Sequence, residues 1–177
     1  MAKRRKFLFK TLVVGDGGVG KTTMVKRLIT GRYIEQKITI GTDLFAYHIN
    51  RDSKEIILQL WDFAGERRFR FFLPNYSRGA MGCLLCYDLA RRSSFENLEE
   101  WYNIVNNNAE DPVIFLVACK HDLAEEKRVV KKEEAKKFQN SHGISKFFET
   151  SSLTGYNNEI IFKNLANEII EKKNIPI

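Results

Sequence analysis

One glycine-rich segment narrows the possible folds of this chain more than any other part of it: Gly15-Asp16-Gly17-Gly18-Val19-Gly20-Lys21-Thr22. It follows an apolar stretch at residues 6–14 and precedes residues 21–30, where apolar positions recur at helical spacing. Glycines between a strand and a helix let the backbone wrap a phosphate chain, and the helix N-terminus adds partial positive charge. The segment, called the P-loop below, therefore predicts a nucleotide site in which Lys21 reaches the β- and γ-phosphates and the Thr22 hydroxyl binds Mg²⁺.

Strand and helix patterns alternate along the rest of the sequence. Strands are predicted at residues 6–14, 43–50, 55–61, 81–87, 113–118 and 144–149, and helices at residues 21–30, 94–108, 131–140 and 158–172. The second and third strands form a hairpin whose turn is Arg51-Asp52-Ser53-Lys54. This order predicts an α/β fold with a six-stranded, mostly parallel sheet and helices on both faces, in one domain over residues 1–177.

Composition and charge exclude several classes of protein. No apolar run approaches the roughly 18 residues that span a bilayer, and no signal peptide is recognisable, so we expect a cytoplasmic protein. The formal net charge of +7 is spread along the chain, with one dense run at Lys3-Arg4-Arg5-Lys6. Because no RNA-recognition or zinc-finger pattern accompanies it, we expect no nucleic-acid partner and at most a weak attraction to acidic phospholipid.

The pair Cys83 and Cys86 has the spacing of a redox or zinc motif but lies inside an apolar run. Residues three apart on a strand point to opposite faces, so the two thiols cannot easily face each other. No second Cys/His pair stands at zinc-ligand spacing. We interpret these cysteines as small buried hydrophobic residues.

Two acidic positions extend the predicted nucleotide site. Asp62 closes a predicted strand, where a carboxylate facing the P-loop suits a Mg²⁺ ligand. Asp122, in Lys120-His121-Asp122, follows the strand predicted to end at residue 118. A carboxylate there accepts hydrogen bonds from guanine N1–H and N2–H₂, which adenine does not offer, so the sequence predicts a preference for guanine.

These motifs together resemble the small GTPases of the Ras superfamily along nearly the whole chain, and the Rab branch in particular. Rab-type signatures are approached at Thr39-Ile40-Gly41-Thr42-Asp43-Leu44, Arg68-Phe69-Arg70, Ser77-Arg78-Gly79-Ala80-Met81-Gly82, Leu85-Cys86-Tyr87-Asp88-Leu89 and Ser94-Phe95-Glu96-Asn97-Leu98. The resemblance implies a monomeric GTP/GDP switch with Mg²⁺. Effector and regulatory proteins would then bind to its two switch segments, which we call switch I (residues 33–41) and switch II (residues 65–77).

The resemblance also assigns roles to single residues. Thr39 would join Thr22 and Asp62 as a Mg²⁺ ligand, and Gly65 would sense the γ-phosphate through its backbone N–H. The implied catalytic positions are Lys21, Thr39, Gly65 and Glu66. The implied nucleotide-binding positions are Gly15, Asp16, Gly17, Gly18, Val19, Gly20, Lys21, Thr22, Thr23, Tyr33, Thr39, Gly65, Cys119, Lys120, Asp122, Leu123, Ser151, Ser152 and Leu153.

Glu66 stands where the family has a Gln that orients the attacking water. Gln both donates and accepts hydrogen bonds, whereas an ionised Glu only accepts and adds charge near a strongly negative γ-phosphate. We therefore expect slow GTP hydrolysis. The rival interpretation is that Glu66 keeps its proton or acts as a base. No residue stands out as an arginine finger within the chain, although Arg67 and Arg68 lie near.

Three further departures concern the base-binding loops. Cys119 replaces an Asn that ties the base loop to the P-loop, and a thiol makes hydrogen bonds poorly. Ser152 replaces an Ala, and Leu153 replaces a Lys. Weaker nucleotide binding is expected, and an alternative function stays open: a non-hydrolysing or nucleotide-free interaction module on a GTPase fold.

Phe63 and the C-terminal residues also depart from the family. Phe63 replaces a small polar residue and predicts either a partner surface or packing beneath switch II. The last residues, Asn174-Ile175-Pro176-Ile177, include no Cys for prenylation. Three readings remain open: a removed tail, a cytoplasmic protein, or a peripheral membrane contact through the basic run at residues 3–6.

Overall fold

The computed structural model describes residues 5–51 and 54–176, and its centre is a sheet of six strands within those ranges. The strands are β1 Arg5–Val14, β2 Thr42–Arg51, β3 Lys54–Phe63, β4 Gly82–Asp88, β5 Val113–Cys119 and β6 Lys146–Glu149. Their order is β2-β3-β1-β4-β5-β6, and only the β2–β3 pair is antiparallel among the strand pairs of the described residues. The predicted α/β fold is confirmed. Two residues of the predicted hairpin turn, 52 and 53, lie outside the described ranges.

Helices cover both faces of this sheet. They are α1 Lys21–Thr30, α2 Arg67–Arg70, α3 Leu73–Ser77, α4 Arg92–Glu96, α5 Leu98–Asn108, α6 Ala124–Lys127, α7 Lys132–Ser141 and α8 Asn158–Lys172, with a 3-10 turn at His121–Leu123. Helices α1 and α8 pack on one face, and α3, α5 and α7 pack on the other. Within the described part of the chain, no helix has the length and apolarity to cross a membrane.

Strand β4 shows how the sequence divides between the two cores. Leu84 and Cys86 face α1 and α8, while Cys83 and Leu85 face α3 and α5. The alternation follows from the two-residue period of a strand. Both cysteines are buried free thiols on opposite faces, as predicted, and burial raises the pKa of the Cys83 thiol well above its ordinary value.

Two elements differ from the predicted ones. The single helix expected at residues 94–108 is two helices, α4 and α5, separated at Asn97. The φ of Asn97, −78°, stays in the right-handed helical region, but its ψ of −5° departs from the α-helical value near −42°. The last strand begins at Lys146 rather than at residue 144, since the N–H of Ile144 donates to the carbonyl of Gln139 at the end of α7. Three short helices, α2, α3 and α6, have too few residues for periodicity to reveal them.

The aromatic residues around switch II separate into buried and exposed members. Phe63 is 1% exposed, and its ring meets that of Tyr76 edge to face, with centroids 5.5 Å apart. Phe71 is 83% exposed and Phe72 is 49% exposed. Of the two interpretations of Phe63, packing beneath switch II is therefore the correct one.

Two neighbouring isoleucines on α8 differ in burial, so substitutions at these positions test which face of the helix packs in the core. Ile161 is fully buried, whereas Ile160 is 52% exposed. We expect Ile161→Ala to lower the free energy of unfolding by about 2–5 kcal/mol, because it deletes buried methyl and methylene groups and leaves a cavity. Ile160→Ala, the matched control, should change it by no more than about 0.5 kcal/mol. Urea denaturation followed by circular dichroism measures both, and equal losses would contradict this packing.

Candidate nucleotide-binding site

The P-loop leaves β1 in a conformation that requires glycine at its first position. Gly15 has φ +138°, and a Cβ there would lie 2.1 Å from the carbonyl oxygen of Cys86 in β4. Gly20, immediately before α1, has φ +108°. A non-glycine residue at Gly15 would meet both an unfavourable φ and a backbone clash. The loop is therefore pressed against β4, and it delivers its backbone to the N-terminus of α1.

Lys21 folds back over this loop from the first turn of α1. Its side chain is 5% exposed, and its Nζ donates to the carbonyl oxygens of Gly15 at 2.7 Å and Asp16 at 2.8 Å. Burial lowers the pKa of Lys21, and the nearby carboxylate of Asp62 opposes that shift. The ammonium group is thus held inside the loop, where a phosphate chain would lie.

Three oxygen-bearing side chains meet at the foot of the P-loop. The Oγ1 atoms of Thr22 and Thr39 are 2.6 Å apart, and the Thr22 hydroxyl also donates to Asp62 Oδ2. The other carboxylate oxygen, Asp62 Oδ1, is buried without a hydrogen-bond partner. Within residues 5–51 and 54–176, no group of three or more His, Cys, Asp or Glu residues could hold a metal. One carboxylate with two hydroxyls fits Mg²⁺, which takes few protein ligands and completes its shell with phosphate oxygens and water.

Burial also affects the protonation of Asp62. It raises the pKa of this carboxyl to about 6, while the hydrogen bond from Thr22 and the charge of Lys21 act in the opposite direction. The carboxylate is therefore the dominant form at neutral pH, as a Mg²⁺ ligand requires.

A cleft of about 230 Å³ lies between the P-loop and switch I. Its walls are Gly17, Gly18, Gly20, Lys21, Thr22, Thr23, Tyr33, Glu35, Gln36, Lys37, Ile38, Thr39, Gly65 and Lys120. Tyr33 is 45% exposed at its rim. Nζ of Lys26 in α1 donates to Oε1 of Gln36 at 2.5 Å, and this hydrogen bond connects switch I to α1. Val19, by contrast, has its side chain in the core, which leaves only its backbone for a ligand.

Switch II begins in direct contact with the P-loop. The N–H of Gly17 donates to the carbonyl of Gly65 at 3.1 Å, and a Cβ on Gly65 would lie 2.1 Å from the nitrogen of Gly17. Glu66 follows, and its Oε2 pairs with Nε of Arg68 at 2.8 Å. The position expected to act on the attacking water therefore carries an acceptor group directly after the residue that contacts the P-loop.

The base-binding loops are joined to each other by hydrogen bonds. The hydroxyl of Ser151 donates to Asp122 Oδ1 at 2.5 Å, and the N–H of His121 donates to the carbonyl of Thr150 at 3.0 Å. Lys120 has φ +66° and pairs with Asp88 Oδ2 at 2.7 Å. The loops after β5 and β6 thus hold the Asp122 carboxylate in one place.

The remaining positions expected at the base differ in their accessibility. Leu123 ends the 3-10 turn after Asp122, and Ser152 is half-buried. Leu153 is 52% exposed. Cys119 is buried beneath the P-loop, 3.8 Å from where a Cβ of Gly20 would stand.

Sequence reasoning missed the surroundings of the Asp16 side chain, which faces switch II and α5. Asp16 Oδ1 accepts from Nη2 of Arg70 and from Nε1 of Trp101, both at 2.8 Å, and Oδ2 accepts from Asn97 at 2.7 Å. Arg70 is 6% exposed, lies over the Trp101 ring and also pairs with Glu100. Switch II and α5 are therefore bound to the P-loop through one carboxylate. The signal available in the sequence was an acidic residue inside a phosphate-binding loop.

Comparison with known proteins agrees with this geometry. The Ras family matches residues 10–171 of the chain, a range that includes the P-loop, both switches and the base-binding loops. The chain belongs to the Ras family. It is 40% identical over 173 residues to Ras-related protein Rab-13 of Bos taurus. This alignment covers 97% of this chain and 85% of the relative.

Further Rab proteins show the same similarity. Ras-related protein Rab-13 of Canis lupus familiaris is also 40% identical over 173 residues, with 97% of this chain and 85% of the relative covered. Ras-related protein RAB1BV of Beta vulgaris is 41% identical over 168 residues, with 94% of this chain and 78% of the relative covered. The chain is thus a Rab-like small GTPase.

The raised pKa of Asp62 predicts that Mg²⁺ binding depends on pH. Because Mg²⁺ and a proton compete for this carboxylate, the apparent Mg²⁺ affinity of the GDP complex should weaken by about tenfold between pH 7.5 and pH 5. The measurement is the Mg²⁺ concentration that half-maximally slows release of a fluorescent GDP analogue. Binding of Mg²⁺ to the free analogue over the same pH range is the control. A protein curve that moves no more than the control would contradict a raised pKa for a metal-binding Asp62.

Proposed function

We propose that this chain is a guanine-nucleotide switch contained in one G domain over residues 1–177, which binds GTP or GDP with Mg²⁺. The observation that carries the proposal is the meeting of the Thr22 and Thr39 hydroxyls at Asp62. Through Thr39, switch I reaches Thr22 and Asp62, the two residues that would bind a metal ion beside the terminal phosphates. Loss of the γ-phosphate would remove one partner of switch I, and switch I would then be released.

Guanine would be selected by Asp122. Its carboxylate would accept from N1–H and N2–H₂ of the base, while Ser151 supports one of its oxygens from the side. Adenine would leave this charged acceptor unpaired, at a cost of roughly 1–3 kcal/mol or more for each lost hydrogen bond. The remaining base-side residues, from Lys120 to Leu123 and from Ser151 to Leu153, would enclose the ring.

Hydrolysis would depend mainly on positioning and charge. Lys21 and the P-loop amides would hold the β- and γ-phosphates, and Mg²⁺ would neutralise part of their charge when bound. Gly65 would contact the γ-phosphate through its N–H. Glu66 would accept a hydrogen bond from the attacking water but could not donate one to the γ-phosphate as the usual Gln does, so we propose that hydrolysis is slow.

Replacement of Glu66 tests this statement directly. Glu66→Gln should raise the single-turnover rate of GTP hydrolysis by about tenfold or more, because it restores a hydrogen-bond donor aimed at developing charge. Rapid-quench measurement of phosphate release gives the rate. Glu66→Ala is the matched control and should stay at or below the original rate. If the Gln variant is no faster, then Glu66 is not what limits hydrolysis.

Nucleotide affinity should be limited by Cys119. Its thiol lies beneath the P-loop at the point where an amide side chain could hydrogen-bond to that loop. We expect Cys119→Asn to tighten GDP binding by about 1–3 kcal/mol, or about 5- to 150-fold, by adding one or two hydrogen bonds. Isothermal titration calorimetry measures the change, with Cys119→Ala as a control that should not tighten binding. Equal affinities in all three proteins would refute the account.

Partners would bind to the switch segments, which carry exposed apolar side chains. The most exposed of them are Ile38 at 73%, Ile40 at 75% and Phe71 at 83%. Such surfaces suit effector and regulatory proteins, which would recognise the ordered, GTP-bound arrangement. We propose a cytoplasmic monomer that operates in membrane traffic, with membrane contact that is weak unless a lipid is attached.

The experiment for the proposed function is identification of the nucleotide that co-purifies with the protein, by heat denaturation and ion-exchange chromatography. Mostly GDP is the expected result. Mostly GTP would show tight binding with very slow hydrolysis. An empty site, together with no binding of added GDP and Mg²⁺, would favour the alternative function, an interaction module that does not use nucleotide; the buried Cys119 thiol is the observation in its favour.

A further inference from the structure

Arg91 follows β4, and its side chain reaches the P-loop. Its Nη2 donates to the carbonyl oxygen of Gly17 at 2.6 Å, across 74 positions of sequence. A Cβ on Gly18 would lie 3.5 Å from its Nη1. The guanidinium group therefore contacts the backbone of Gly17 and lies next to Gly18.

The charge of Arg91 has no counterion among the residues that the structure describes, whereas three other buried or partly buried arginines each have one. Arg70 pairs with Asp16, Arg92 with Glu134 and Arg128 with Glu149. The Nε of Arg91 is, in addition, buried without a hydrogen-bond partner. Because buried charges and buried donors are normally paired, a guanidinium that lacks a counterion and has an unsatisfied Nε–H at this place indicates an anionic ligand.

The position of Gly17 specifies which anion this is. Gly17 donates to Gly65 on one side and accepts from Arg91 on the other, so switch II and Arg91 approach the same end of the P-loop. We propose that Arg91 is an arginine finger supplied by the chain itself, which contacts the γ-phosphoryl oxygens of GTP during hydrolysis. The proposal rests on the proposed function, and it replaces the expectation that Arg67 or Arg68 would be the arginines to consider.

The group transfer explains why a cation is useful there. The water oxygen forms a bond to the γ-phosphorus, and the bond from that phosphorus to the β–γ bridging oxygen breaks. The electron pair of the broken bond stays on the bridging oxygen, which becomes a β-phosphate oxygen of GDP, and the proton of the water goes to the released phosphate. A guanidinium beside the γ-phosphoryl oxygens offsets the charge that moves during this step.

Glu66 gives this chain a particular need for such a cation. Its carboxylate adds negative charge at the start of switch II, and its present partner, Arg68, has a side chain that is 67% exposed. An exposed pair of this kind contributes little stabilisation. Arg91 lies deeper, against the loop backbone, and its planar fork suits phosphate oxygens.

Aluminium fluoride provides a test that does not rely on turnover alone. Bound beside GDP, it imitates the transferring phosphoryl group, so a chain with its own arginine finger should bind it without an activating protein. We expect the wild-type GDP complex with Mg²⁺ to release a fluorescent GDP analogue much more slowly once aluminium fluoride is added. Arg91→Ala should lose this effect while its affinity for GDP alone changes by less than about threefold, and its single-turnover hydrolysis should fall on the order of 10²-fold or more.

Two further variants complete the design. Arg91→Lys keeps the charge but not the fork, so a partial response to aluminium fluoride is expected. Arg92→Ala, a change at the neighbouring arginine that pairs with Glu134, should respond as the wild type does. A wild-type response in Arg91→Ala, or no response in the wild type, would overturn the proposal. Loss of GDP affinity in parallel with the fluoride effect would also overturn it, because Arg91 would then only support the loop. Absence of GDP binding in the wild type would instead contradict the proposed function.

Discussion

The P-loop touches two other backbone segments so closely that neither contact has space for a side chain. Gly15 abuts the carbonyl of Cys86 in β4, and Gly65 of switch II abuts Gly17. Any larger residue at Gly15 would separate the loop from the sheet, and any at Gly65 would separate it from switch II. Because the loop is held at both places, Lys21 can fold over it, and Thr22 is brought to Asp62 and Thr39.

A second set of contacts extends this arrangement to the helices. The Asp16 carboxylate accepts from Arg70 of α2 and from Asn97 and Trp101 at α5, so one partly buried anion joins the P-loop, switch II and one side of the sheet. Removal of one member of a buried ion pair leaves the other charge uncompensated, which typically costs several kcal/mol. A displacement of α2 away from the P-loop would therefore break the ion pair between Arg70 and Asp16.

Most of the fold could be predicted from the sequence because its signals are local. The helices at residues 21–30 and 158–172 were predicted to the residue, since both carry apolar positions at helical spacing. The break at Asn97 was not predicted, because an Asn inside an otherwise helical pattern gives no sign of the tertiary contact it makes with Asp16. Helices α2 and α3 were missed because a segment of four or five residues shows no period.

The candidate site divides in the same way. The P-loop, Asp62 and Asp122 have motifs of fixed local spacing, so sequence reasoning found them. The contact of Arg91 with Gly17 joins residues 74 positions apart, and nothing near Arg91 in the sequence points to the P-loop. Sequence order instead drew attention to Arg67 and Arg68, which adjoin Glu66, although Arg68 in the structure is occupied by that same carboxylate.

The central claim is that the terminal phosphate controls the order of both switch segments. Amide hydrogen exchange followed by mass spectrometry, on the protein loaded with GDP or with a non-hydrolysable GTP analogue, measures this most directly. The account predicts slower exchange in residues 33–41 and 65–77 with the GTP analogue, because Thr39 and Gly65 then have the γ-phosphate and its metal as partners. The core strands β4 and β5 should exchange equally in both states. Identical exchange of the two switch segments with either nucleotide would contradict the account.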